Sequence, residues 1–256
     1  MPKYSQVFLA DAGICRRIVS ALDAEAFDRV VEIGPGGGAL TAFLFPKYGP
    51  RLKAVEIDKA LVPALNAKFP GLEVVNADFL GLDLEAAAGP GRVAFIGNLP
   101  YECSTAILDK VLAFPRLAAA VFMFQKEVAR KTLASPGAAD YGVLTLQTAA
   151  RAEASLLTDV KAGSFRPVPA VDSSVVVFRL RRYFSDEAAE ARFRALIRKG
   201  FMHRRKTLVN SLGLCGVDKA AAAAALHKAG YGPTARAQEL SLEGFAALSE
   251  ALQGPL

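Results

Sequence analysis

Glu32-Ile33-Gly34-Pro35-Gly36-Gly37-Gly38 is the stretch of this 256-residue chain that decides its fold. It closes an apolar run, Arg29–Ile33, that has the pattern of a buried strand, and a helical pattern follows it. Glycines at a strand end let the backbone approach a ligand closely, just before a helix N-terminus. The stretch therefore predicts the first strand of an α/β sheet with a ligand site at its carboxyl edge.

Apolar runs alternate with helical patterns through residues 1–180, which is typical of an α/β fold with a parallel sheet. The connector 161–173 before the last run carries Pro167 and Pro169 and has no helical period. A parallel crossover is usually helical, so we expect the last strand to run antiparallel to its neighbour. The expected strands are 29–33, 51–56, 72–75, 93–96, 119–124, 156–160 and 174–180. The expected helices between them are 11–23, 38–46, 58–68, 104–113, 125–133 and 142–152.

The composition changes after Tyr183, where strand patterns end. Helices are expected to begin near Ser185, Asp218 and Ser241, each a residue that commonly caps a helix. We therefore predict two domains, an α/β domain over 1–183 and a small all-α domain over 184–256.

Positive charge is concentrated in one segment. The net charge is +6, and residues 179–206 alone hold ten basic and three acidic residues, so the remainder carries a net charge of −1. One basic segment on a nearly neutral body favours a polyanionic partner. The alternative is a solvated helix face, which is the usual meaning of a run of charges.

The composition argues against a metal centre and a disulfide framework. Cys15, Cys103 and Cys215 lie far apart, and His203 and His227 complete a poor ligand set. The longest apolar run has eight residues, short of the ~20 that a membrane helix needs. We expect no signal peptide, no metal, no membrane association and a cytoplasmic protein.

Asn98-Leu99-Pro100-Tyr101 follows a second buried strand pattern. The Asn98 side-chain oxygen and the next backbone carbonyl can both accept hydrogen bonds from one NH2 group. Pro100 fixes the turn because its ring locks φ, and Tyr101 offers a flat face on which a base can stack. The alternative is an ordinary strand-to-helix turn.

Acidic residues follow the other predicted strands. Glu56 ends the second strand, 22 residues after Gly34, where an acid can accept both hydroxyls of a ribose. Asp78 follows the third strand and can accept a hydrogen bond from an adenine amine, while Phe79 can stack on that ring. These residue types predict an adenosine-containing cofactor.

Two cofactors fit this pattern. Gly34-x-Gly36-x-x-Ala39 matches the dinucleotide fingerprint, so NAD is sterically possible. S-adenosylmethionine is favoured because Glu32 can hold the loop or an ammonium group. It is also favoured because the thick glycine loop leaves no room for a pyrophosphate, and because the fourth strand ends in the amine-binding turn.

At this point the chain resembles the KsgA-type small-subunit ribosomal RNA adenine dimethyltransferases, nearly end to end. The motifs that carry the resemblance are Gln6-Val7-Phe8-Leu9, Glu32-Ile33-Gly34-Pro35-Gly36 with Leu40-Thr41, Glu56-Ile57-Asp58, Asn98-Leu99-Pro100-Tyr101, Gln125-Lys126-Glu127-Val128, Tyr141-Gly142, Phe165-x-Pro167-x-Pro169-x-Val171-Asp172-Ser173, Arg204-Arg205-Lys206-Thr207-Leu208 with Asn210 and Leu212, and Arg236-Ala237-x-Glu239-Leu240. Val7 stands where the family usually has Asn.

The resemblance implies a Rossmann-like class I methyltransferase fold, with a seven-stranded sheet whose last strand is antiparallel, and a small C-terminal all-α domain. It implies methyl transfer from S-adenosylmethionine to the exocyclic amines of adenines in a small-subunit (16S) rRNA hairpin loop. The expected cofactor-binding residues are Gln6, Val7, Leu9, Glu32, Gly34, Gly36, Glu56, Ile57, Asp78, Phe79 and Asn98. The expected catalytic residues are Asn98, Leu99, Pro100 and Tyr101, with Phe165 covering the other side of the adenine.

The expected partner is ribosomal RNA or a small-subunit precursor, bound by a monomer through Arg198, Lys199, Arg204, Arg205 and Lys206. One alternative is an Erm-type methyltransferase, which acts on large-subunit RNA with the same chemistry. Another is a ribosome-assembly or RNA-binding factor with weak or lost activity.

Overall fold

A computed structural model describes residues 7–252. The chain forms two compact units. The first contains the residues up to Ala129 together with Glu153–Leu180, and the second contains Arg130–Ala152 and the residues from Arg181 onward.

A seven-stranded sheet forms the centre of the first unit. Its strands are β2 (Arg29–Ile33), β3 (Leu52–Glu56), β4 (Glu73–Asn76), β5 (Val93–Asn98), β6 (Leu117–Gln125), β7 (Ala152–Val160) and β9 (Ser173–Leu180). Their spatial order is β4-β3-β2-β5-β6-β9-β7. The neighbouring pairs β4–β3, β3–β2, β2–β5 and β5–β6 are parallel. Strand β9 is antiparallel to β6, as the resemblance implies.

The central strands are mostly apolar because helices cover both faces of the sheet. Val30, Ala94 and Val121 belong to one buried cluster with helical residues such as Ile18 and Leu44. Phe95 lies between Ala94 and Ile96 of this cluster, so its side chain points to the opposite face of the sheet. There its ring packs edge-on against Phe114, at 5.5 Å between ring centroids. The continuous apolar runs in the sequence reflect this double burial.

The first unit also has elements that the sequence patterns did not predict. These are the two-residue strands β1 (Phe8–Leu9) and β8 (Phe165–Arg166), which pair antiparallel, and the short helix α4 (Leu84–Ala88). The predicted helices are present as α1 (Ala12–Ser20), α2 (Thr41–Tyr48), α3 (Val62–Lys68), α5 (Ser104–Ala113) and α6 (Lys126–Leu133).

The second unit is helical in the part of the chain that the structure describes. Its helices are α7 (Val143–Ala149), α8 (Glu187–Met202), α9 (Leu208–Leu214), α10 (Lys219–Lys228) and α11 (Leu242–Ala251). Helix α9 was not predicted. The residue that caps α8 is Asp186, whose carboxylate accepts from the Ala188 and Ala189 amides, and not Ser185.

The predicted domain boundary at 183/184 stays a prediction. The compact units divide the chain after Leu180, and they also group 130–152 with the C-terminal helices. The physical reason is packing, because Tyr141 and Leu146 lie in one buried cluster with Phe193 and Phe245.

Candidate active site

The carboxyl ends of four parallel strands meet at one edge of the sheet. In the register, Glu32 lies opposite Ile96, and Glu56 lies opposite Asn76. The segments that follow β2, β3, β4 and β5 therefore emerge side by side. This is the edge at which open α/β sheets bind ligands, and it gathers the residues predicted from the glycine, acidic and Asn-Leu-Pro-Tyr motifs.

The glycine loop after β2 is held by its backbone. The Gly34 amide donates to the Val55 carbonyl at 2.9 Å, and the Gly36 amide donates to Glu56 Oε2 at 2.9 Å. Gly34 has a φ of +66°, and a Cβ there would meet no atom within 4 Å. The loop therefore needs glycine for its conformation, and it leaves open space directly above Gly34.

Strand β5 approaches this loop closely. A Cβ on Gly97 would lie 2.6 Å from the Ile33 carbonyl oxygen. Only glycine allows β5 to pass this close to the end of β2. The Asn98 turn is thereby brought next to the glycine loop.

Two buried carboxylates lie beneath the loop. Glu56 also accepts from the Asp58 amide at 2.8 Å, so both of its oxygens already bind backbone. Glu32 accepts from Thr41 Oγ1 at 2.7 Å. Burial of Glu32 raises its pKa to about 7, the Thr41 hydrogen bonds oppose this rise, and the nearby Glu56 carboxylate adds to it. Glu32 is therefore a titrating group near neutral pH. Its hydrogen-bond partner is Thr41 at the start of α2, so its predicted role of holding the loop or an ammonium group stays a prediction.

The segment after β4 presents a carboxylate and an apolar surface. Asp78 is exposed, and its Oδ1 accepts from the Leu80 amide at 2.9 Å, which leaves its other oxygen available. Ile57 is 42% exposed and Leu80 is 37% exposed. A carboxylate beside two exposed apolar side chains suits a purine, which has a flat apolar face and a polar edge.

Phe79 does not occupy the predicted stacking position. Its side chain is only 4% exposed, and its ring packs edge-on against Phe95 at 6.2 Å between centroids. The ring anchors the segment to the core, and no open face remains for an adenine. Its apolar neighbours Leu80 and Ile57 are the exposed candidates instead.

Asn98 has a fixed amide. Its Nδ2 donates to the Val7 backbone carbonyl at 3.0 Å. A carbonyl can only accept, so the NH2 group must face Val7, and Oδ1 must face away from it. Within residues 7–252, no donor binds that oxygen. The atom predicted to accept from a substrate amine is therefore an oriented, unused acceptor.

The rest of the turn is anchored around Asn98. Leu99 is buried, and its amide donates to the Met123 carbonyl at 3.2 Å. Pro100 is exposed, and the half-buried Tyr101 places its hydroxyl 3.5 Å from the buried Ser173 Oγ. The Tyr101 ring thus has a fixed end and a partly open face.

Phe165 and Leu9 lie in the hydrophobic core. They are register partners in the β1–β8 pair, and Phe165 is 0% exposed. In this structure the Phe165 ring has no surface that a base could reach. The predicted stacking role does not fit this placement, because pairing with β1 buries the ring, and it stays a prediction that requires Phe165 to become exposed.

Two residues of this region belong to the quoted motifs but were not among the predicted site residues. Phe8 lies over the glycine loop, since a Cβ on Gly36 would come within 2.7 Å of its ring. Thr41, which binds Glu32, is fully buried at the start of α2. Gln6 belongs to the predicted cofactor residues but lies outside the described residues.

The predicted RNA-binding residues fall into two groups. Arg204 donates to the Ala139 and Tyr141 carbonyls at 2.8 and 2.9 Å, and Lys199 Nζ donates to the Cys215 carbonyl at 3.1 Å. These two side chains stabilise the helical unit.

Arg198, Arg205 and Lys206 are exposed, and their side chains make no hydrogen bond or ion pair with any residue between 7 and 252. Within the predicted set, these three basic side chains have no partner among the described residues, whereas Arg204 and Lys199 already bind backbone carbonyls.

Neither a metal cluster nor a membrane-spanning helix is present within residues 7–252. They contain no group of three or more His, Cys, Asp or Glu side chains arranged to hold a metal ion. Over the same residues, every helix is too short or too polar to cross a membrane.

Comparison with known proteins identifies the family. The model of the family described as Ribosomal RNA adenine dimethylase matches residues 1–253. The chain belongs to the ribosomal RNA adenine dimethylase family. The members of this family are S-adenosylmethionine-dependent methyltransferases, so S-adenosylmethionine is the methyl donor and the NAD alternative is wrong.

Relatives that share the name of the small-subunit enzyme match most of this chain. A protein of Myxococcus xanthus (strain DK1622) named Ribosomal RNA small subunit methyltransferase A is 41% identical, over 99% of this chain and 92% of the relative. A protein of the same name from Chlorobium phaeobacteroides (strain BS1) is 41% identical, over 82% of this chain and 80% of the relative.

Solved structures of similar fold include the 23S rRNA methyltransferase ErmE, with a TM-score of 0.73 and 32% identity over 96% of this chain and 100% of that chain. A dimethyladenosine transferase from Plasmodium falciparum has a TM-score of 0.76 at 24% identity, over 94% of this chain and 95% of that chain. Together they confirm the class I methyltransferase fold.

The residues at this edge of the sheet fit S-adenosylmethionine. The donor carries a positive sulfonium and an adenosine, and the site offers open space above Gly34, buried carboxylates at Glu32 and Glu56, and the Asp78 carboxylate beside Ile57 and Leu80.

Proposed function

We propose that this chain dimethylates the exocyclic amines of adenines in a hairpin loop of small-subunit ribosomal RNA. The observation that carries the proposal is the Asn98 amide, which is locked by Val7 with its oxygen unused, at the sheet edge that holds the glycine loop. The names of relatives 41% identical to this chain support the small subunit as the target.

The chemistry needs alignment more than it needs a strong base. The lone pair of an adenine amine is delocalised into the ring, so the amine is a poor nucleophile. Hydrogen bonds from the NH2 group to Asn98 Oδ1 and to the Leu99 carbonyl draw the nitrogen toward tetrahedral geometry and aim its lone pair. S-adenosylmethionine supplies the methyl group. Orientation of this kind supplies much of the rate enhancement.

The target base must leave its stack to reach this site. Tyr101 is the candidate platform, because its hydroxyl lies against Ser173 and its ring is partly open. Stacking on an aromatic ring replaces part of the interaction that an extruded base loses. The second methylation requires the monomethyl amine to bind again with one fewer N–H.

The proposed cofactor residues are Val7, Leu9, Glu32, Gly34, Gly36, Glu56, Ile57, Asp78 and Asn98. Val7 acts through its backbone, Leu9 acts through packing, and Ile57 and Leu80 contact the purine. The proposed RNA contacts are Arg198, Arg205 and Lys206. The predicted monomer, the absence of a metal and the cytoplasmic location stay predictions.

Large-subunit RNA is the second candidate substrate. The observation that favours it is the 32% identity to ErmE over 96% of this chain. A competition experiment separates the two candidates. Unmodified small and large subunits are mixed with the protein and methyl-labelled S-adenosylmethionine, and each rRNA is then analysed separately by mass spectrometry. Label in the small-subunit RNA supports the proposal, whereas label only in the large-subunit RNA overturns it in favour of the second candidate.

A further inference from the structure

One lysine makes three contacts to the segment that follows Asp78. Lys110 Nζ, on α5, donates to the Leu80 carbonyl at 2.7 Å and to the Leu82 carbonyl at 2.5 Å. The same ammonium lies 5.6 Å from the centre of the Phe79 ring. All three contacts fall within the four residues 79–82, which we call the purine turn.

The purine turn has little regular structure to hold it. The Gly81 amide donates to the Asp78 carbonyl at 3.1 Å, and the Leu82 amide donates to the Phe79 carbonyl at 3.3 Å. The Leu80 and Leu82 carbonyls point to Lys110 instead, and a charged donor makes the stronger kind of hydrogen bond.

The surroundings of Lys110 show that the contact is partly enclosed. Desolvation lowers the pKa of Lys110, and the Asp78 and Asp83 carboxylates oppose that lowering. The cation therefore lies near the Asp78 and Asp83 carboxylates, next to the turn that carries Leu80.

We propose that Lys110 is a positioning residue for purine recognition. This inference rests on the proposed function, because it concerns the same S-adenosylmethionine site. Lys110 touches no part of the cofactor. It fixes the backbone of the purine turn so that the Asp78 carboxylate accepts from the adenine amine while the exposed Leu80 side chain covers the ring.

The position of Lys110 in the chain gives this contact a second consequence. Helix α5 begins at Ser104, immediately after the Asn98–Tyr101 turn that is proposed to hold the target adenine. Lys110 therefore joins the helix that follows the target-base turn to the segment that holds the cofactor purine.

The test measures discrimination between two ligands that differ at the hydrogen-bonding edge of the purine. S-adenosylhomocysteine has the adenine NH2, and S-inosylhomocysteine has a carbonyl oxygen in its place and an N–H at the adjacent ring nitrogen N1. Calorimetry gives Kd for both ligands with the wild type, Lys110→Met and Lys110→Arg. The wild type is expected to prefer the adenine ligand by about 10-fold or more, the usual effect of one hydrogen bond to a charged group.

Lys110→Met is expected to reduce that preference to about 3-fold or less, and Lys110→Arg, which keeps donors for the carbonyls, restores most of it. Lys53→Met is the matched control. Lys53 lies in β3, and its Nζ also donates to a backbone carbonyl, that of Ala87 in α4. It is expected to leave the preference unchanged.

Asp78→Asn provides a second, independent measurement. It is expected to remove the preference by itself, and adding Lys110→Met is then expected to cause no further loss, because both changes act on the same interaction. If Lys110→Met does not fold, the preference for the adenine ligand is compared in the wild type, Lys110→Arg and Lys110→Gln instead.

An unchanged preference in Lys110→Met, with only a lower melting temperature, overturns the inference and leaves the proposed function standing. A wild type that binds neither ligand overturns the proposed function itself.

Discussion

The side-chain amide of Asn98 is oriented by the backbone carbonyl of Val7, 91 positions earlier in the chain, at 3.0 Å. The contact uses main-chain chemistry, so it does not depend on the side chain at position 7. The N-terminal segment therefore helps to orient the Asn98 amide, which is proposed to be catalytic.

We predict that Asn98→Asp lowers the rate of methyl transfer. An aspartate keeps an oxygen for the substrate amine, but it cannot donate to Val7 and instead turns a negative oxygen toward that carbonyl. The loss should be about 1–3 kcal/mol, or roughly 5- to 150-fold in single-turnover rate. Single-turnover measurement with saturating cofactor checks this. A rate equal to that of the wild type would show that the Val7 contact does not matter.

We predict that Gly97→Ala destabilises the first unit. Its Cβ would lie 2.6 Å from the Ile33 carbonyl oxygen, so two neighbouring strands must separate. The loss should be about 1–3 kcal/mol or more, as for other overpacked core positions. Urea unfolding measures it. The control is Gly163→Ala, because a Cβ at Gly163 meets no atom within 4 Å and should change stability little.

We predict that Glu32 makes stability fall as the pH rises through neutrality. Its pKa is about 7 in the folded protein and near 4.5 in the unfolded chain, so the folded state holds a proton that the unfolded state has lost. The stabilisation is therefore complete below pH 4.5, and it is lost as the pH rises toward and through about 7. Glu32→Gln removes this contribution.

The measurement is the free energy of unfolding of both proteins between pH 5 and 8. The wild type should lose stability relative to Glu32→Gln by up to about 1.4 kcal/mol per pH unit below pH 7. Parallel curves for the two proteins would mean that Glu32 is ionised in the folded state throughout this range.

We predict that the exposed basic residues bind phosphates and that Arg204 does not. Changing Arg198, Arg205 and Lys206 together to Gln should weaken RNA binding. It should also reduce the salt slope by about 0.7–0.9 log units for each phosphate that the variant no longer neutralises. Arg204→Gln should instead lower the melting temperature, because two carbonyls lose their donor.

A matched triple change of Arg192, Lys219 and Lys228 to Gln removes the same charge from other exposed positions of the helical unit. It should affect the salt slope less. Equal effects of the two triple variants would contradict a local phosphate-binding surface.

The long elements could be predicted because their hydrophobic period is strong. Apolar runs mark strands such as β2 and β6, and helical patterns alternate with them. This alternation predicts an α/β fold. The two-residue strands β1 and β8 carry no periodic signal, and the seven-residue α9 is too short to show one. Cap residues are also ambiguous where several polar residues adjoin, as at Ser185 and Asp186.

The candidate site was predictable in residue type but not in orientation. Acidic and Asn residues at successive strand ends follow from the sequence pattern. The sequence pattern does not show whether an aromatic ring is exposed or buried. Phe79 and Phe165 are both buried because they pack against residues distant in the chain. Backbone partners such as the Val7 carbonyl and the Leu80 and Leu82 carbonyls carry no residue signature, so the roles of Val7 and Lys110 emerge only from the fold.

The most direct measurement of the central claim is nucleoside analysis of small-subunit RNA after reaction with wild type and Asn98→Ala. Both proteins are incubated with unmodified small subunits and S-adenosylmethionine, and binding to the subunits is measured in parallel. The wild type should produce N6,N6-dimethyladenosine, and Asn98→Ala should bind the subunits nearly as well but produce little or none. Dimethyladenosine at wild-type levels from Asn98→Ala, or no dimethyladenosine in small-subunit RNA from the wild type, would contradict the account.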